Sequence, residues 1–243
     1  MSAPSSLLQL EAVISKAADC GTHWASRRAE LLIDEKTAGQ FASNADIEIE
    51  TQIRQELAGG FPEEAIIGEE MGGSLSQDAR GWAIDPIDGT SNFVLGLPIW
   101  GISIGYWDAG YSTLGAIALP ALGLTVSAAT GSGVRINGER VSNLRPVSPV
   151  KILAIGENDF ETGAQTDARA QLYRDTNYSV VRYRCAVFAL AMSAMGRLSG
   201  YIERGCGLWD VAAADIICRE AGLDVTTEKI TDGRWAIDAR WPE

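Results

Sequence analysis

Two aspartates, Asp85 and Asp88, lie three positions apart in the stretch WAIDPIDGTSNF (residues 82–93), with a proline between them and a Gly-Thr pair after them. The apolar run before them is typical of a buried strand. Two carboxylates that converge there disfavour ionisation unless a cation lies between them, because a like charge raises a carboxylate pKa. Oxygen ligands select a hard cation such as Mg²⁺, which works together with a substrate phosphate. The stretch therefore indicates metal-dependent phosphoryl chemistry.

The spacing of the two aspartates distinguishes between two kinds of phosphatase. Enzymes that form an aspartyl-phosphate use D-x-D-G-T, in which side chains two residues apart leave a strand on the same side. Here the spacing is three, which would point Asp85 and Asp88 to opposite faces of a regular strand. We therefore predict that the chain turns at Pro86, so that both carboxylates converge as metal ligands. Covalent phosphate on either aspartate would overturn this interpretation.

Further residues that could serve the same site follow other apolar runs. Gly89 and Thr90 begin a predicted turn into a short helix, whose free N–H groups would suit a phosphate. Glu69 and Glu70 directly follow the run AIIG, and Asp210 lies in LWDVAAADII. Taken singly, such acidic residues are more often solvated strand ends or helix caps. Their combination with DPIDGT favours one shared site for metal and phosphate.

Composition narrows the class of partner. The chain has 32 acidic and 20 basic residues and a formal net charge of −12, which disfavours binding to nucleic acid or to an anionic membrane. The chain has one histidine, His23, which argues against a mechanism with a histidine base and against a histidine-rich metal site. No run approaches the roughly 20 apolar residues of a membrane span, and no signal peptide is recognisable. We expect a cytoplasmic protein, with its four cysteines as free thiols, that acts on a small metabolite.

The elements that must position these residues alternate along the chain. Helical spacing predicts helices over 6–31 and 44–57, and short apolar runs predict strands over 65–68 and 82–85. Between residues 99 and 141, β-like runs separated by glycine-containing turns predict an antiparallel meander. The remainder alternates between predicted strands and helices: 151–155, 165–174, 178–183, 186–196, 200–203, 209–221 and 223–226. Helices and sheets must pack in layers, as one domain (1–243) of two lobes with a soft boundary near 143–150.

Three stretches in order resemble the inositol monophosphatase family of Mg²⁺-dependent, lithium-sensitive phosphatases: GEE at 68–70, WAIDPIDGTSNF at 82–93 and WDVAAADIICREAG at 209–222. The second matches the family pattern W-x-x-D-P-I/L-D-G-T-x-N-F, which is highly specific. The resemblance implies an α/β fold, a layered α-β-α-β-α sandwich of the inositol monophosphatase and fructose-1,6-bisphosphatase type. It also implies a homodimer.

The resemblance further implies a role for each site residue. The metal ligands would be Glu69, Asp85, the Ile87 carbonyl, Asp88 and Asp210. A third, weaker ion would lie near Glu69 and the catalytic Glu70, and Asp46 and Thr90 would orient the attacking water. The N–H groups of Gly89 and Thr90 would hold the phosphate. Substrate contacts would come from Asp88 and Glu203, and Arg184, where the chain departs from the family pattern, is a further candidate. Because Mg²⁺ lowers the pKa of a bound water, the nucleophile would form without a histidine.

Substrate choice rests on weaker signals. Arg184 and Cys185 stand where inositol-type members of the family usually have a small Gly-Ser or Gly-Thr pair, and an arginine there would contact a second anionic group. A surface arginine beside a buried cysteine explains the pair equally well. The run GLPIWG (96–101) resembles the histidinol-phosphate phosphatase branch, whereas ISIG (102–105) suits the inositol branch.

These signals leave several substrates open. Inositol monophosphate is the best prediction by a narrow margin, with histidinol phosphate as an alternative. Fructose 1,6-bisphosphate or a 3′-phosphonucleotide would be favoured if Arg184 faces the pocket. The alternative from another class is a regulatory protein that retains the fold, which an Asp88→Asn variant with undiminished biological effect would favour.

Overall fold

The structure, a computed structural model, describes residues 3–37, 39–62, 64–75, 79–146 and 150–242. Its helices are α1 (Ala3–Ser26), α2 (Asn44–Gly60), α3 (Thr90–Val94), α4 (Gly163–Arg174), α5 (Ala186–Ala194) and α6 (Leu208–Ala221). Its strands are β1 (Ile33–Thr37), β2 (Gln40–Ser43), β3 (Ala65–Gly68), β4 (Arg80–Asp88), β5 (Gly101–Asp108), β6 (Tyr111–Leu119), β7 (Leu124–Ala129), β8 (Gly133–Ile136), β9 (Glu139–Arg140), β10 (Ile152–Ile155), β11 (Ser179–Val181), β12 (Gly200–Cys206), β13 (Asp224–Thr231) and β14 (Arg234–Arg240). Within these residues no helix is both long and apolar enough to cross a membrane.

The described strands form a hairpin and two larger sheets. The hairpin pairs β1 with β2, and the seven-stranded sheet has the order β3-β4-β5-β6-β7-β8-β9. From β4 to β9 every neighbour is antiparallel, which confirms the predicted meander, whereas β3 lies parallel to β4. The five-stranded sheet has the order β11-β10-β12-β14-β13. In it β10 lies parallel to β11 and β12, and the remaining pairs are antiparallel.

The helices and the two sheets form the predicted α-β-α-β-α layers. Residues of α1 and α2 pack with Trp82 and Ile84 of β4 on one face of the seven-stranded sheet. The alternate residue Ala83 belongs to a second core, which α5 and α6 share with β12 and β14, so these helices lie between the sheets. On the outer face of the second sheet, Ala170 and Tyr173 of α4 pack against β10 and β12.

Two glycines let α6 lie close to the seven-stranded sheet. A Cβ at Gly105 would lie 2.4 Å from the Ala213 nitrogen, and one at Gly115 would lie 2.5 Å from the Ala213 oxygen. Only glycine leaves room for the helix backbone there. Helix α6, which carries Asp210 near its start, is therefore held against β5 and β6, the two strands that follow the metal motif.

Three features differ from the sequence-based expectation. The hairpin of β1 and β2 was not predicted, because β1 is exposed along its whole length and carries no apolar alternation. Strand β14 was also not predicted, and it lies inside the second sheet between β12 and β13. Strand β4 runs to Asp88 rather than ending at Asp85. The predicted lobe boundary near 143–150 includes residues 147–149, which lie outside the described residues.

Candidate active site

The end of β4 brings Asp85 and Asp88 to the same side through an irregularity in strand pairing. Asp85 lies opposite Ser103 of β5, and Asp88 lies opposite Gly101, so three steps on one strand face two on the other. One extra residue in a strand is a β-bulge, and it restores same-side geometry to an odd spacing. The chain does not leave the strand at Pro86, because pairing continues to Asp88, so the predicted turn is wrong. The predicted convergence of Asp85 and Asp88 is present, and the bulge produces it.

A cluster of three aspartates forms where β4 ends. Within the described residues, Asp85, Asp88 and Asp210 each offer a carboxylate oxygen, and these oxygens lie within 4.8 Å of one another. Asp85 is fully buried, and neither of its carboxylate oxygens has a hydrogen-bond partner. Burial, together with the charges of Glu69, Asp88 and Asp210, raises the pKa of Asp85 well above its usual range. Buried carboxylates without partners fit a divalent cation, which supplies the missing positive charge.

Two hydrogen bonds fix the start of α6, where Asp210 lies. One of the Asp210 oxygens accepts a hydrogen bond of 2.6 Å from the Gly207 N–H, so Asp210 caps the helix as its position also predicted. The Ser103 hydroxyl donates to the Trp209 carbonyl over 3.1 Å and ties this helix start to β5. Burial and the neighbouring Asp88 raise the pKa of Asp210 well above its usual range. Capping thus fixes the side chain that completes the cluster.

Asp88 connects the metal motif to α5. The Val187 N–H donates to one carboxylate oxygen of Asp88 over 2.6 Å. The Cys185 thiol contacts the Asp88 carbonyl at 3.4 Å, and its sulfur accepts a hydrogen bond from the Phe188 N–H. Burial raises the pKa of Asp88 to about 7. The second half of the chain therefore helps to orient a ligand that the first half supplies.

Glu69 and Glu70 approach the cluster from the end of β3. The ammonium of Lys36, on the hairpin, lies 3.1 Å from a Glu69 oxygen and also forms an ion pair with Glu70. Burial raises the pKa of Glu70 to about 7. Glu69 lines the same cavity as Asp88, and it also lines a neighbouring cavity together with Glu70 and Lys36. Of the predicted acidic pair, Glu69 is therefore the member that shares a cavity with the aspartate cluster.

Glu50 is a buried acidic residue that the sequence analysis missed. It accepts hydrogen bonds from the Glu70 N–H at 2.9 Å and from the Met71 N–H at 3.3 Å, and Arg54 donates to it at 2.8 Å. A Cβ at Gly68 would lie 2.0 Å from a Glu50 oxygen, so that position needs glycine. The available signal was its helical spacing of four from Asp46. Glu50 holds the turn that presents Glu69 and Glu70.

Asp46 and Thr90, which were predicted to act together, are in contact. Asp46 is fully buried, and one oxygen accepts hydrogen bonds from the Ser43 N–H at 2.8 Å and its hydroxyl at 2.6 Å. The Thr90 hydroxyl lies 3.3 Å from the other oxygen and 3.0 Å from the Ile87 carbonyl. Burial raises the pKa of Asp46 to about 6. A partly protonated acid beside a hydroxyl can accept or return a proton near neutral pH.

Gly89 provides the sharp turn between β4 and α3. Its φ of +82° lies in the left-handed region, where glycine carries no steric penalty. A Cβ at this position would lie 3.0 Å from both the Ile99 carbonyl oxygen and the Cys185 Cβ. The predicted turn into a short helix is therefore confirmed, with the helix beginning at Thr90. The binding of phosphate by Gly89 and Thr90 stays a prediction.

A cavity of about 420 Å³ opens beside the cluster. Its charged and polar lining includes Lys36, Glu69, Asp88, Thr90, Asn158, Arg184, Glu203, Asp210 and Arg234. Glu203 is held in place there, since the Tyr201 hydroxyl donates to one oxygen at 2.6 Å and the Asn158 amide to the other at 2.9 Å. Burial raises the pKa of Glu203. The structure thus places all three predicted substrate contacts, Asp88, Arg184 and Glu203, at the cavity.

Comparison with known proteins identifies the family. The model of the inositol monophosphatase family matches residues 8–238. The chain belongs to this family. It is 35% identical over 195 residues to an inositol-1-monophosphatase of Mycobacterium bovis, which covers 74% of this chain and 66% of the relative. It is 31% identical to a histidinol-phosphatase of Mycobacterium tuberculosis over 90% of this chain and 86% of the relative.

Solved structures of the family have the same fold. The extragenic suppressor protein suhB from Bartonella henselae superposes with a TM-score of 0.84 at 25% identity, over 96% of this chain and 93% of that one. Family membership indicates a phosphatase that acts on small phosphorylated substrates. The aspartate cluster is compatible with the metal dependence typical of the family.

Proposed function

We propose that the protein hydrolyses a small phosphate monoester in a Mg²⁺-dependent reaction, by direct attack of water. The observation that carries this proposal is Asp85, whose two buried oxygens have no partner although Asp88 and Asp210 lie beside it. Such an arrangement is unfavourable without a cation, and all-oxygen ligands suit Mg²⁺. Asp85, Asp88, Asp210, Glu69 and the Ile87 carbonyl would hold the metal.

The metal and the residues around it would have separate roles in the reaction. When bound, Mg²⁺ supplies a water of lowered pKa and offsets the charge of the phosphate and the leaving alkoxide. The Thr90 hydroxyl, 3.3 Å from Asp46, is placed to orient the attacking water and pass its proton toward that carboxylate. Glu70, which Lys36 holds nearby, assists this orientation. Free N–H groups at Gly89 and Thr90 would receive the phosphate.

Glu203 and Arg184, which line the cavity beside the aspartate cluster, bear on the nature of the leaving alcohol. Glu203 would accept a hydrogen bond from a hydroxyl of a polyol, which agrees with inositol monophosphate as the substrate favoured by the sequence, with histidinol phosphate as the alternative. The location of Arg184 at the cavity favours a second candidate, a substrate that carries another anionic group. Lithium sensitivity, a homodimer and a cytoplasmic location stay predictions from the sequence.

One assay tests the proposal and ranks its substrates. Phosphate release is measured from inositol 1-phosphate, histidinol phosphate, fructose 1,6-bisphosphate and 3′-phosphoadenosine 5′-phosphate, with Mg²⁺, with EDTA, and with Mg²⁺ plus lithium. We expect release that requires Mg²⁺ and falls with lithium. Release that is unchanged by EDTA would exclude the metal site. Phosphate trapped covalently on Asp85 or Asp88 would exclude direct attack by water.

A further inference from the structure

Arg184 has an unusual backbone conformation for a large residue. Its φ is +52°, in the left-handed region that residues with a Cβ rarely adopt. The other described non-glycine residues with positive φ are small or are asparagines: Ala109, Asn137, Asn143 and Asn177. Asparagine tolerates this region because its short polar side chain can hydrogen-bond to the nearby backbone, and an arginine side chain lacks this compensation. Backbone strain of this kind concentrates at functional sites, so the side chain needs an explanation.

The charge environment of Arg184 differs from that of the other cations at the cavity. Lys36 is paired with Glu69 and Glu70, and Arg234 is paired with Asp159 at 2.8 Å. Among the described residues, Arg184 has no carboxylate within ion-pair distance. Its one recorded hydrogen bond, from Nη2 to the Gly39 carbonyl, is long at 3.3 Å. A guanidinium at the wall of a cavity thus retains most of its donors for a ligand.

The backbone on both sides of Arg184 is fixed to the catalytic motif. The carbonyl of Tyr183 accepts a hydrogen bond of 2.9 Å from the Asn92 side chain of α3. On the other side, Cys185 contacts the Asp88 carbonyl and lies against Gly89. Arg184 therefore projects from a point that is held in place beside the predicted phosphate site. A ligand group that it binds would lie a short distance from the ester to be hydrolysed.

We propose that Arg184 forms a second anion subsite and that the substrate is a phosphate monoester bearing another acidic group, a phosphate or a carboxylate. This inference rests on the proposed function and names the substrate class of the same site. The planar guanidinium can donate two parallel hydrogen bonds to either group, which a lysine cannot do. Occupation of the subsite replaces the long contact with Gly39. Neutral polyol phosphates would leave the subsite without a partner.

Matched substrate pairs test the subsite. Glycerol 2-phosphate and 2-phosphoglycerate differ by a carboxylate, and glucose 1-phosphate and glucose 1,6-bisphosphate differ by a second phosphate. In Mg²⁺, we expect R184Q to raise KM about 10- to 100-fold for the anionic member of at least one pair, because a charge-assisted hydrogen bond is lost. Its KM for the neutral members should stay within about twofold, and kcat should change little. The responding pair tells which acidic group is bound.

Two further variants separate binding from folding. R182Q is the matched control, because Arg182 is paired with Glu157 and Asp167 and does not line the cavity, so its KM values should not move. R184N places asparagine at the left-handed position and should melt like the wild type while showing the same KM change as R184Q. Equal KM increases for neutral and anionic members, or no increase for either anionic member, would overturn the proposal.

A failure of the proposed function gives a different pattern. If the wild type releases phosphate in Mg²⁺ neither from these four compounds nor from the four substrates of the assay above, the phosphatase activity proposed above is wrong. Calorimetric titration with glucose 1,6-bisphosphate and glucose 1-phosphate then tests the subsite alone. Tighter binding of the bisphosphate to the wild type, lost in R184Q, supports the subsite. Equal binding of both sugars to both proteins contradicts it.

Discussion

The two walls of the cavity are built in different ways. The metal wall is lined by Glu69, Asp88 and Asp210 and is backed by the fully buried Asp46 and Asp85. Each of these aspartates belongs to a short contiguous motif or a helix start. On the substrate wall, Arg184 is exposed, and Glu203 is oriented by Tyr201 and by Asn158, which is 45 residues away in the chain. The metal wall has little freedom to vary, since its charges must share a cation. The substrate wall can change its side chains without disturbing that cation.

The two walls meet through α5 and α6, which lie between the sheets. Val187 of α5 donates to Asp88, and Asp210 of α6 completes the cluster. Because each lobe supplies part of one cluster, we propose that the lobes act as one domain. The variants below ask whether the two walls can be altered independently.

The largest expected effect follows from Asp85→Asn. Loss of a carboxylate from the cluster should lower kcat/KM by at least about 10³-fold. The variant would lack one of the groups that hold the metal, so both the position of the metal and the charge balance of the cluster would be disturbed. Phosphate release in saturating Mg²⁺ measures this effect. Melting in EDTA should show that the variant is more stable than the wild type without metal, since one of the mutually repelling charges is gone.

Asp215→Asn is the matched control for that substitution. Asp215 is also a buried aspartate, but it is paired with Arg219 and Thr227 away from the cavity. Its loss should lower the melting temperature and leave kcat/KM within a few fold. An equal loss of activity in both variants would mean that the aspartate cluster has no special role.

The second prediction concerns pH and the metal-free protein. Between about pH 4 and pH 7, the free energy of unfolding in EDTA should fall as pH rises. Burial raises the pKa of Asp46 from 3.8 to about 6, and that of Asp88 to about 7. A group with a raised folded pKa binds protons more tightly in the folded state, so its stabilising contribution is lost as pH rises through that pKa. Asp46 alone corresponds to roughly 3 kcal/mol.

Mg²⁺ should reverse this trend, because it favours the ionised carboxylates and binds the folded state. Urea unfolding at several pH values, with Mg²⁺ and with EDTA, gives the two curves. We expect the Mg²⁺ curve to lie above the EDTA curve, with the largest separation near pH 8. Parallel curves would show that the carboxylates do not bind the ion.

The difference between the two walls also explains which parts of the site and of the fold could be predicted from the sequence. The DPIDGT motif was sufficient to place Asp85, Asp88, Gly89 and Thr90, because their spacing has few chemical explanations. It did not reveal the bulge, since a register irregularity depends on the partner strand β5. The layered fold came from the family resemblance, whereas the periodicity predicted only the order of most elements.

Other features were missed because their cause is not local. Glu50 occupies a buried position in a helix, where the Glu70 and Met71 N–H groups and the Arg54 guanidinium compensate its charge. The strand β14 is specified by pairing with β12 and β13 rather than by a strong pattern of its own. The orientation of Arg184 depends on a positive φ that the sequence does not show.

Glu50→Gln should weaken metal binding without touching the metal wall directly. Because Glu50 holds the turn that carries Glu69, the concentration of Mg²⁺ needed for half-maximal activity should rise about 10- to 100-fold. KM at saturating Mg²⁺ should change little. Glu48→Gln, an exposed position on the same helix, is the control and should leave both constants unchanged. A rise in KM with a normal Mg²⁺ requirement would contradict this assignment.

The smallest effect is expected from Glu203→Gln, the reciprocal change on the substrate wall. An amide loses one of the two hydrogen bonds that Tyr201 and Asn158 donate, and it accepts a substrate hydroxyl less strongly than a carboxylate does. We expect KM for a polyol phosphate to rise about fivefold, with an unchanged Mg²⁺ requirement. Glu228→Gln, at an exposed residue of β13, should change neither constant. If Glu203→Gln raises the Mg²⁺ requirement as much as Glu50→Gln does, the two walls are not separable, and substrate choice cannot vary independently of the metal site.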